Sequence, residues 1–415
     1  MKLDALLEKR EDAAQFMIDD ITKVCTTIPK RNPGSVGEKM ACEYFEKLCM
    51  EEYDCDEAHV EEFEEHPWSF FGWMWITFTL TLISAILMIA VPSTVTAIIA
   101  IVFTALGWAL ALTQFGLYWK VVDFVFPKET GHSVWAVKKP KGEVKARVFF
   151  NGHVDAVWEW PANYLGGGVL FEGLIIVAAI GTLYYLGLAI AFLAGATITK
   201  LALIGIIFIP FQIYMYFMWH WWGDPQGENS GIVDGANDNL SGCYMGLAIL
   251  KELKETGVEL ENTEVGVLIT GSEEAGLRGA LAWAEAHQND FNDVPTYIYS
   301  YDTIFDPKYL MANYRDLNGT MKTDKGLNDL FMESAEELGI ACIHGWVPPL
   351  GGATDTAGFT KYGFRAGGVT GLNHNLQNYY HTRRDTYDNM NKTGLGDCYA
   401  VSVKCLEKIE NGEFH

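Results

Sequence analysis

Charged and charge-free stretches alternate along this chain on a scale of tens of residues. From Trp68 to Trp119 there is no Asp, Glu, Lys or Arg. A helix needs about 20 apolar residues to cross a bilayer core, so this run predicts two crossings turned at Pro92-Ser93. A second apolar region starts after Glu172, is broken by Lys200 and ends near Trp222. It predicts spans at 173–194 and 201–222, with Ala194–Lys200 as the tip. Pro210 lacks a backbone donor and is expected to kink the last span. Buried core helices of a soluble protein are the competing reading, and charge-free runs of this length weigh against it. Trp68, Trp73 and Trp75 open the first hairpin, Trp119 closes it, and Trp219, Trp221 and Trp222 close the second. All seven are expected near one interface, as an aromatic belt.

The polar segments carry shorter periodicities. Residues 5–25 and 36–51 read as amphipathic helices, Leu240–Thr256 as a helix stopped by Gly257, and Leu327–Leu338 as one stopped by Gly339. Val144–Asn151, Glu264–Thr270 and Tyr297–Tyr301 read as strands. The alternation predicts an α/β fold: a mixed, largely parallel sheet with helices on both faces. The expected organisation is one discontinuous domain, 1–67, 120–168 and 223–415, with transmembrane hairpins 68–119 and 169–222 inserted into it.

Each hairpin returns to the side it left, so the polar pieces are expected to share a compartment. Lys120, Lys128, Lys138, Lys139 and Lys141 follow the first hairpin, whereas the tips carry only Lys200. The positive-inside rule then points to the cytoplasm. The eight cysteines have neither C-x-x-C nor zinc-finger spacing and read as free thiols of a reducing compartment. The N-terminus is charged and lacks the apolar core of a signal peptide. The expectation is a multi-pass integral membrane protein, with the lipid bilayer as one partner. A formal net charge of −23 disfavours nucleic acid and anionic headgroups, while 49% hydrophobic and 13% aromatic content argues against disorder.

Candidate chemistry sits at the predicted strand ends, where open α/β sheets place their sites. Gly152-His153-Val154-Asp155 follows the first strand, and Asp155 is spaced to orient the His153 ring. Gly235-Ala236-Asn237-Asp238-Asn239-Leu240-Ser241-Gly242 opens a helix; it is denser than a helix cap requires. Gly271-Ser272-Glu273-Glu274-Ala275-Gly276 follows a buried strand, where one glutamate suits a metal and the other a proton. Asp302 lies just past the third strand. Tyr379-Tyr380-His381-Thr382-Arg383-Arg384-Asp385-Thr386 supplies a second histidine. Taken singly, each His fits a satisfied core residue and each acidic pair a solvated surface.

In this order the motifs H-x-D, N-D-N-x-S-G, E-E, a later Asp and Y-H-T resemble the co-catalytic di-zinc exopeptidases, the family of bacterial secreted leucyl aminopeptidases and glutamate carboxypeptidase II. The stretch Arg31-Asn32-Pro33-Gly34-Ser35 is similar to the entry of that fold. The resemblance implies two zinc ions, with Asp238 bridging. In most members the positions of His153 and Asp302 share one ion, and those of Glu274 and His381 the other. It also implies Glu273 as general base, Asp155 as the residue orienting His153, Tyr380 as oxyanion donor, and a cis peptide between Asp238 and Asn239.

The donor set alone suits zinc, or another divalent metal such as cobalt or manganese. Two such ions about 3.5–4 Å apart can hold a hydroxide and polarise a carbonyl. Only 303–380 separates the later acid from the last histidine, too short for the lid domain of aminoacylase-like peptidases. The favoured expectation is a membrane-embedded exopeptidase, an aminopeptidase acting on short peptides. A carboxypeptidase or N-acyl-amino-acid amidohydrolase is the alternative, with Arg315, Arg365, Arg383 or Arg384 clamping a carboxylate. A dead peptidase fold serving as receptor or scaffold is the third reading, and the complete ligand set stands against it.

Overall fold

The computed structural model describes residues 3–219, 231–373 and 377–414. The chain forms two compact units, Met1–Glu65 with Lys128–Trp158 and Ile232–His415, and His66–Pro127 with Glu159–Gly231.

The first unit is built on a mixed sheet. Its strands are β1 Glu57–Glu65, β2 Glu129–Lys138, β3 Ala146–His153, β4 Thr263–Thr270, β5 Thr296–Ile304, β6 Met311–Asn313, β9 Ile343–Gly345 and β10 Arg365–Gly371, in the order β1-β2-β4-β3-β5-β10-β6-β9. Strands β7 Arg315–Asp316 and β8 Met321–Lys322 pair separately. β4, β3, β5 and β10 run parallel, and β1 and β2 join antiparallel at one side. The central strands are buried on both faces, which is why β4 reads as an apolar run rather than as an alternation. β1 is half-exposed and glutamate-rich, the composition of an edge that repels further pairing.

The helices of this unit are α1 Asp4–Glu8, α2 Arg10–Thr27, α3 Val36–Lys47, α9 Ser241–Thr256, α10 Arg278–His287, α11 Lys325–Glu337, α12 Asp355–Lys361 and α13 Lys392–Glu410. One core, with Phe45, Tyr244, Leu247, Phe331 and Leu406, fills one face of the sheet. A second core, with Phe149, Trp283 and Phe359, fills the other. Helices therefore cover both faces, as the alternation predicts. Gly257 and Gly339 end α9 and α11 at positive φ, where a side chain would be strained.

The second unit is apolar. α4 Ser69–Ala90 and α5 Thr94–Leu110 form a hairpin. Ser93 caps α5 in a capping box with Thr96, at the expected turn. α6 Pro161–Leu193 is followed by α7 Thr199–Gly205 and α8 Ile209–Tyr214. Three helices are long and apolar enough to cross a membrane: Ser69–Ala90, Thr94–Gly116 and Pro161–Leu193. Ala97, Ala100, Leu188, Ala189 and Ala202 pack between them, while Val95, Val102, Ile180 and Ile207 face outward.

The compact units divide at Pro127/Lys128 and Trp158/Glu159, and α6 starts at Pro161, a favoured first helical residue. One expectation needs correction here. The expected span 201–222 is not one helix within the described residues. It is broken by a 3-10 turn at Ile206–Phe208, directly before Pro210, and helix ends at Tyr214. Proline excludes the α-helical bond to Ile206, which accounts for the break. The stretch Thr199–Tyr214 reaches only about 24 Å at 1.5 Å per residue, short of a ~30 Å core. Of the expected belt, Trp68, Trp75 and Trp219 cluster, with Trp75 and Trp219 stacked at 5.7 Å. Trp221 and Trp222 lie outside the described residues.

Candidate metal centre

The parallel strands bring the motif residues to one edge. His153 ends β3, Glu273 and Glu274 follow β4, Asp302 lies on β5, and His381 is in the loop after β10. The four strands are neighbours in the sheet, so their carboxyl ends open together. Asp302 is still within its strand, which is longer than the sequence suggests.

Asp238 is placed by the turn before α9, and each polar residue of that turn has a task. The Asn237 backbone and side-chain amides donate to Asp385, at 2.8 and 2.9 Å, and the Asp238 N–H donates to its other oxygen at 3.1 Å. Asn239 Nδ2 donates to the Tyr301 carbonyl at 2.7 Å, and its Oδ1 accepts from Gly242 and Thr303. Ser241 Oγ accepts from the Ile304 N–H at 2.9 Å. The turn is thus fastened to the end of β5, where Asp302 sits. The Asp238–Asn239 peptide is cis, as the resemblance implies. A Cβ at Gly242 would lie 2.4 Å from Asn239 Oδ1 and 2.7 Å from the Tyr301 carbonyl, so only glycine permits this approach.

The candidate ligands converge in two groups with one shared member. His153, Asp238 and Asp302 each offer an atom within 4.8 Å of the others, and so do Asp238, Glu274 and His381. His153 Nε2 is 3.3 Å from Asp238 Oδ1, and His381 Nε2 is 3.0 Å from both Asp238 Oδ2 and Glu274 Oε1. Glu273 Oε2 is 3.9 Å from His153 Nε2, and a third grouping joins it to His153 and Glu274. Asp155 lies behind them. Its carboxylate accepts the N–H groups of Glu273 and Glu274, both at 3.0 Å, and is 3.4 Å from His153 Nδ1. It therefore fixes the glutamate turn as well as the imidazole. The Tyr380 ring stacks on His381 at 4.0 Å.

Buried like charges strain this cluster. Burial, then Glu274 and Asp302, push the Glu273 carboxyl well above its usual range. Burial and Asp238 push Asp302 up to about 7. Burial opposes a charge on His381, yet Glu274 and Asp238 raise it to about 10. Burial also keeps the Tyr380 phenol protonated, a donor at neutral pH. A divalent cation would replace the protons these groups otherwise hold. The geometry fits one: the buried Asp238 Oδ2 and Glu274 Oε1 make no hydrogen bond among the described residues although both face one imidazole nitrogen. Two imidazoles with carboxylates are zinc donors.

Not all the suggested residues gather here. Arg365 is committed elsewhere: its Nε donates to Asp324 at 2.8 Å and its guanidinium lies over Tyr297 and Phe414. Arg315 is exposed, with a bond to the Gly319 carbonyl. Arg383 and Arg384 are exposed beside His381. Asp385 and Asp355 received no role from sequence reasoning. Asp355 accepts from Thr270 Oγ1 at the end of β4. Asp385 stands in the same motif as His381, but nothing local to that motif marks its partners Asn237 and Asp238.

Fold and site together define a zinc-dependent metallo-exopeptidase, a hydrolase of peptide bonds. Residues 213–406 match the family model of peptidase family M28, a stretch that includes Asp238, Glu273, Glu274, Asp302 and His381. Among solved structures, the aminopeptidase from Aneurinibacillus sp. strain AM-1 is similar in fold, with TM-score 0.56 and 14% identity over 98% of this chain and 95% of that one. A leucine aminopeptidase precursor from Bacteroides thetaiotaomicron gives 0.52 and 10%, over 95% of each. Porphyromonas gingivalis glutaminyl cyclase gives 0.54 and 12%, over 96% and 98%. No curated protein matches the chain.

Proposed function

We propose that this chain is a membrane-embedded aminopeptidase that would hold two zinc ions, with His153 and Asp302 as donors to one, Glu274 and His381 as donors to the other, and Asp238 belonging to both donor groups. The observation that carries this reading is the pair of ligand groups sharing Asp238, with Glu273 beside them. The three apolar helices long enough to span a bilayer support the membrane assignment, and the lysines after the first hairpin support a cytoplasmic catalytic unit.

When bound, the ions supply Lewis acidity at the water and the scissile carbonyl. Glu273 takes the water proton on its free carboxylate oxygen and delivers it to the leaving amine. Asp155 holds the backbone of Glu273 and keeps the His153 ring in place. Tyr380 donates its hydroxyl hydrogen toward the developing oxyanion. The acidic surroundings, with Asp155, Asp238, Glu273, Asp302 and Asp355 close together, favour a cationic free N-terminus. With Arg365 tied to Asp324, a carboxylate clamp has less support.

The test is a substrate panel on the detergent-purified protein: peptides with free and acylated N-termini, with free and amidated C-termini, and with N-terminal glutamine. Release of N-terminal residues from free-amine peptides is expected. Chelation should abolish it and zinc or cobalt should restore it. Cleavage from the C-terminus, or deacylation, would favour the amidohydrolase alternatives. Cyclisation of the N-terminal glutamine without cleavage would move the reading to a cyclase. Full activity in chelator, with no bound metal, would end the metal reading.

A further inference from the structure

Behind the glutamate turn lies a second group of buried acids that the mechanism does not use. Glu38 on α3 and Glu65 at the end of β1 are 0% and 1% exposed. Between them stands Ser272, immediately before Glu273. Its Oγ is 2.7 Å from Glu38 Oε2 and 2.7 Å from Glu65 Oε1. A hydroxyl carries one hydrogen. It can donate to one carboxylate, and a second oxygen at 2.7 Å must then bring a hydrogen of its own.

The surroundings say which acid brings it. Glu38 Oε1 accepts the His132 N–H at 2.8 Å, and the Gly34 N–H also donates to this carboxylate. Those donors suit an anion. Glu65 Oε2 is buried and has no hydrogen-bond partner among the described residues. An anionic oxygen left so would carry a large desolvation cost, whereas the carbonyl oxygen of a neutral acid carries a small one.

We propose that Glu65 is a neutral carboxylic acid that donates to Ser272, which donates to ionised Glu38, and that this chain of hydrogens positions the turn carrying Glu273 and Glu274. The proposal rests on the assignment of Glu273 and Glu274 to the active site. The turn needs such holding. Ser272 adopts positive φ, 55°, rare for a side-chain-bearing residue. Gly271 passes so close to Glu38 that a Cβ there would lie 2.8 Å from its carboxyl carbon. Asp155 grips the following two N–H groups, so the turn is clamped from both sides.

Charged groups facing the pair come from every neighbouring element: Asp155 after β3, Arg278 at the start of α10, and His132 on β2, itself 3.5 Å from Glu62. Burial, then the neighbouring Glu38, push Glu65 up to about 9, and burial, then Asp155, push Glu38 upward as well; the pair therefore holds a proton, and the backbone donors to Glu38 beside the partnerless Glu65 Oε2 place it on Glu65. Once it is lost, two buried anions repel across Ser272 and the turn loosens. Glu38 and Glu65 are positioning residues, since they act only through Ser272.

The decisive measurement is infrared difference spectroscopy on the zinc-loaded protein, parent minus Glu65→Gln, at neutral pH in H2O and D2O. A protonated carboxylic acid band, shifted by deuterium, should be present in the parent and lost in the variant. Its absence from the difference spectrum overturns the proposal whatever the activity. Turnover gives the second readout. Glu65→Ala should lose at least tenfold, Glu65→Gln should recover most of that, and the alkaline decline of kcat near pH 9 should move upward in Glu65→Gln. An unchanged alkaline limb in Glu65→Gln also overturns it. If Glu65→Gln fails to fold, Glu38→Gln takes its place: the neutral amide it introduces cannot accept as an anion, so the acid band should shift in frequency, and an unshifted band overturns the proposal. These outcomes are separable from failure of the general-base reading, which Glu273→Gln reports alone.

Discussion

At the scale of single residues, the adjacent glutamates illustrate how one strand end supplies two different chemistries. Glu274 reaches to 3.0 Å from His381, whereas Glu273 remains 3.9 Å from His153. Glu273→Gln keeps the size and much of the hydrogen bonding but cannot accept a proton. It is expected to retain bound metal and substrate affinity and to lose on the order of 10²–10⁴ in kcat. Steady-state kinetics beside metal analysis checks this, and parental turnover with both ions present would assign the proton to another group. Glu274→Gln should instead lower metal content. The two glutamates, Asp238, Asp302 and both histidines were marked as candidates by the sequence because their motifs are local and ordered, and the structure gathers them. Asp385 was not so marked: its partners, Asn237 and Asp238, lie 148 and 147 positions away. Its task exists only after folding.

At the scale of elements, β3, β4 and β5 were readable as apolar runs, and α9 and α11 by their glycine stops, whereas the parallel β10, with three glycines in seven residues, gave no such run. β1 was not readable either, because a glutamate-rich edge strand has low β propensity and is specified by its pairing with β2. α9 begins where Gly242 lets the Asp238 turn touch β5. Gly242→Ala should cost about 1–3 kcal/mol, the usual penalty of overpacking, and should release metal. Thermal melting and metal analysis of the same preparation test it, and a variant with parental melting and metal content would show that the turn can yield.

The edge strand also ties to α10 by His287, whose Nε2 is 2.9 Å from Glu61 Oε1 and whose Nδ1 is 2.9 Å from Asp290. Burial works against its charge, but Glu61 and Asp290 outweigh it and raise its pKa above 6.5. A raised histidine pKa stabilises the fold fully below about 6.5, and this contribution disappears as pH rises through the folded value. Both partners are partly solvated, so the contribution is below ~1 kcal/mol. Melting curves of the parent and His287→Gln should converge as pH rises from about 6 to about 9; a gap that stays constant would exclude the ion pair as its source.

At the scale of the whole molecule, the expected topology is testable by labelling. Cysteines placed at Glu336 in the sheet-bearing unit and at Ala196 in the second hairpin's tip should react with an impermeant thiol reagent from opposite sides of a sealed membrane. A cysteine at Val36 should behave as the one at Glu336. Reaction of Val36→Cys and Glu336→Cys from opposite sides would refute the paired hairpins.

What the sequence by itself determined were properties carried by composition and local order: the apolar runs, the strand-end motifs and the donor types that suit zinc. The tertiary structure decided which donors meet, that Asp238 is shared, that Arg365 is committed to Asp324, and that the last apolar stretch breaks before Pro210. It also placed Glu38 against Ser272, 234 positions away. Periodicity records which face of an element is buried. It does not record which distant side chain will satisfy a buried polar atom, because that hydrogen bond forms only when the sheet has brought the two segments together.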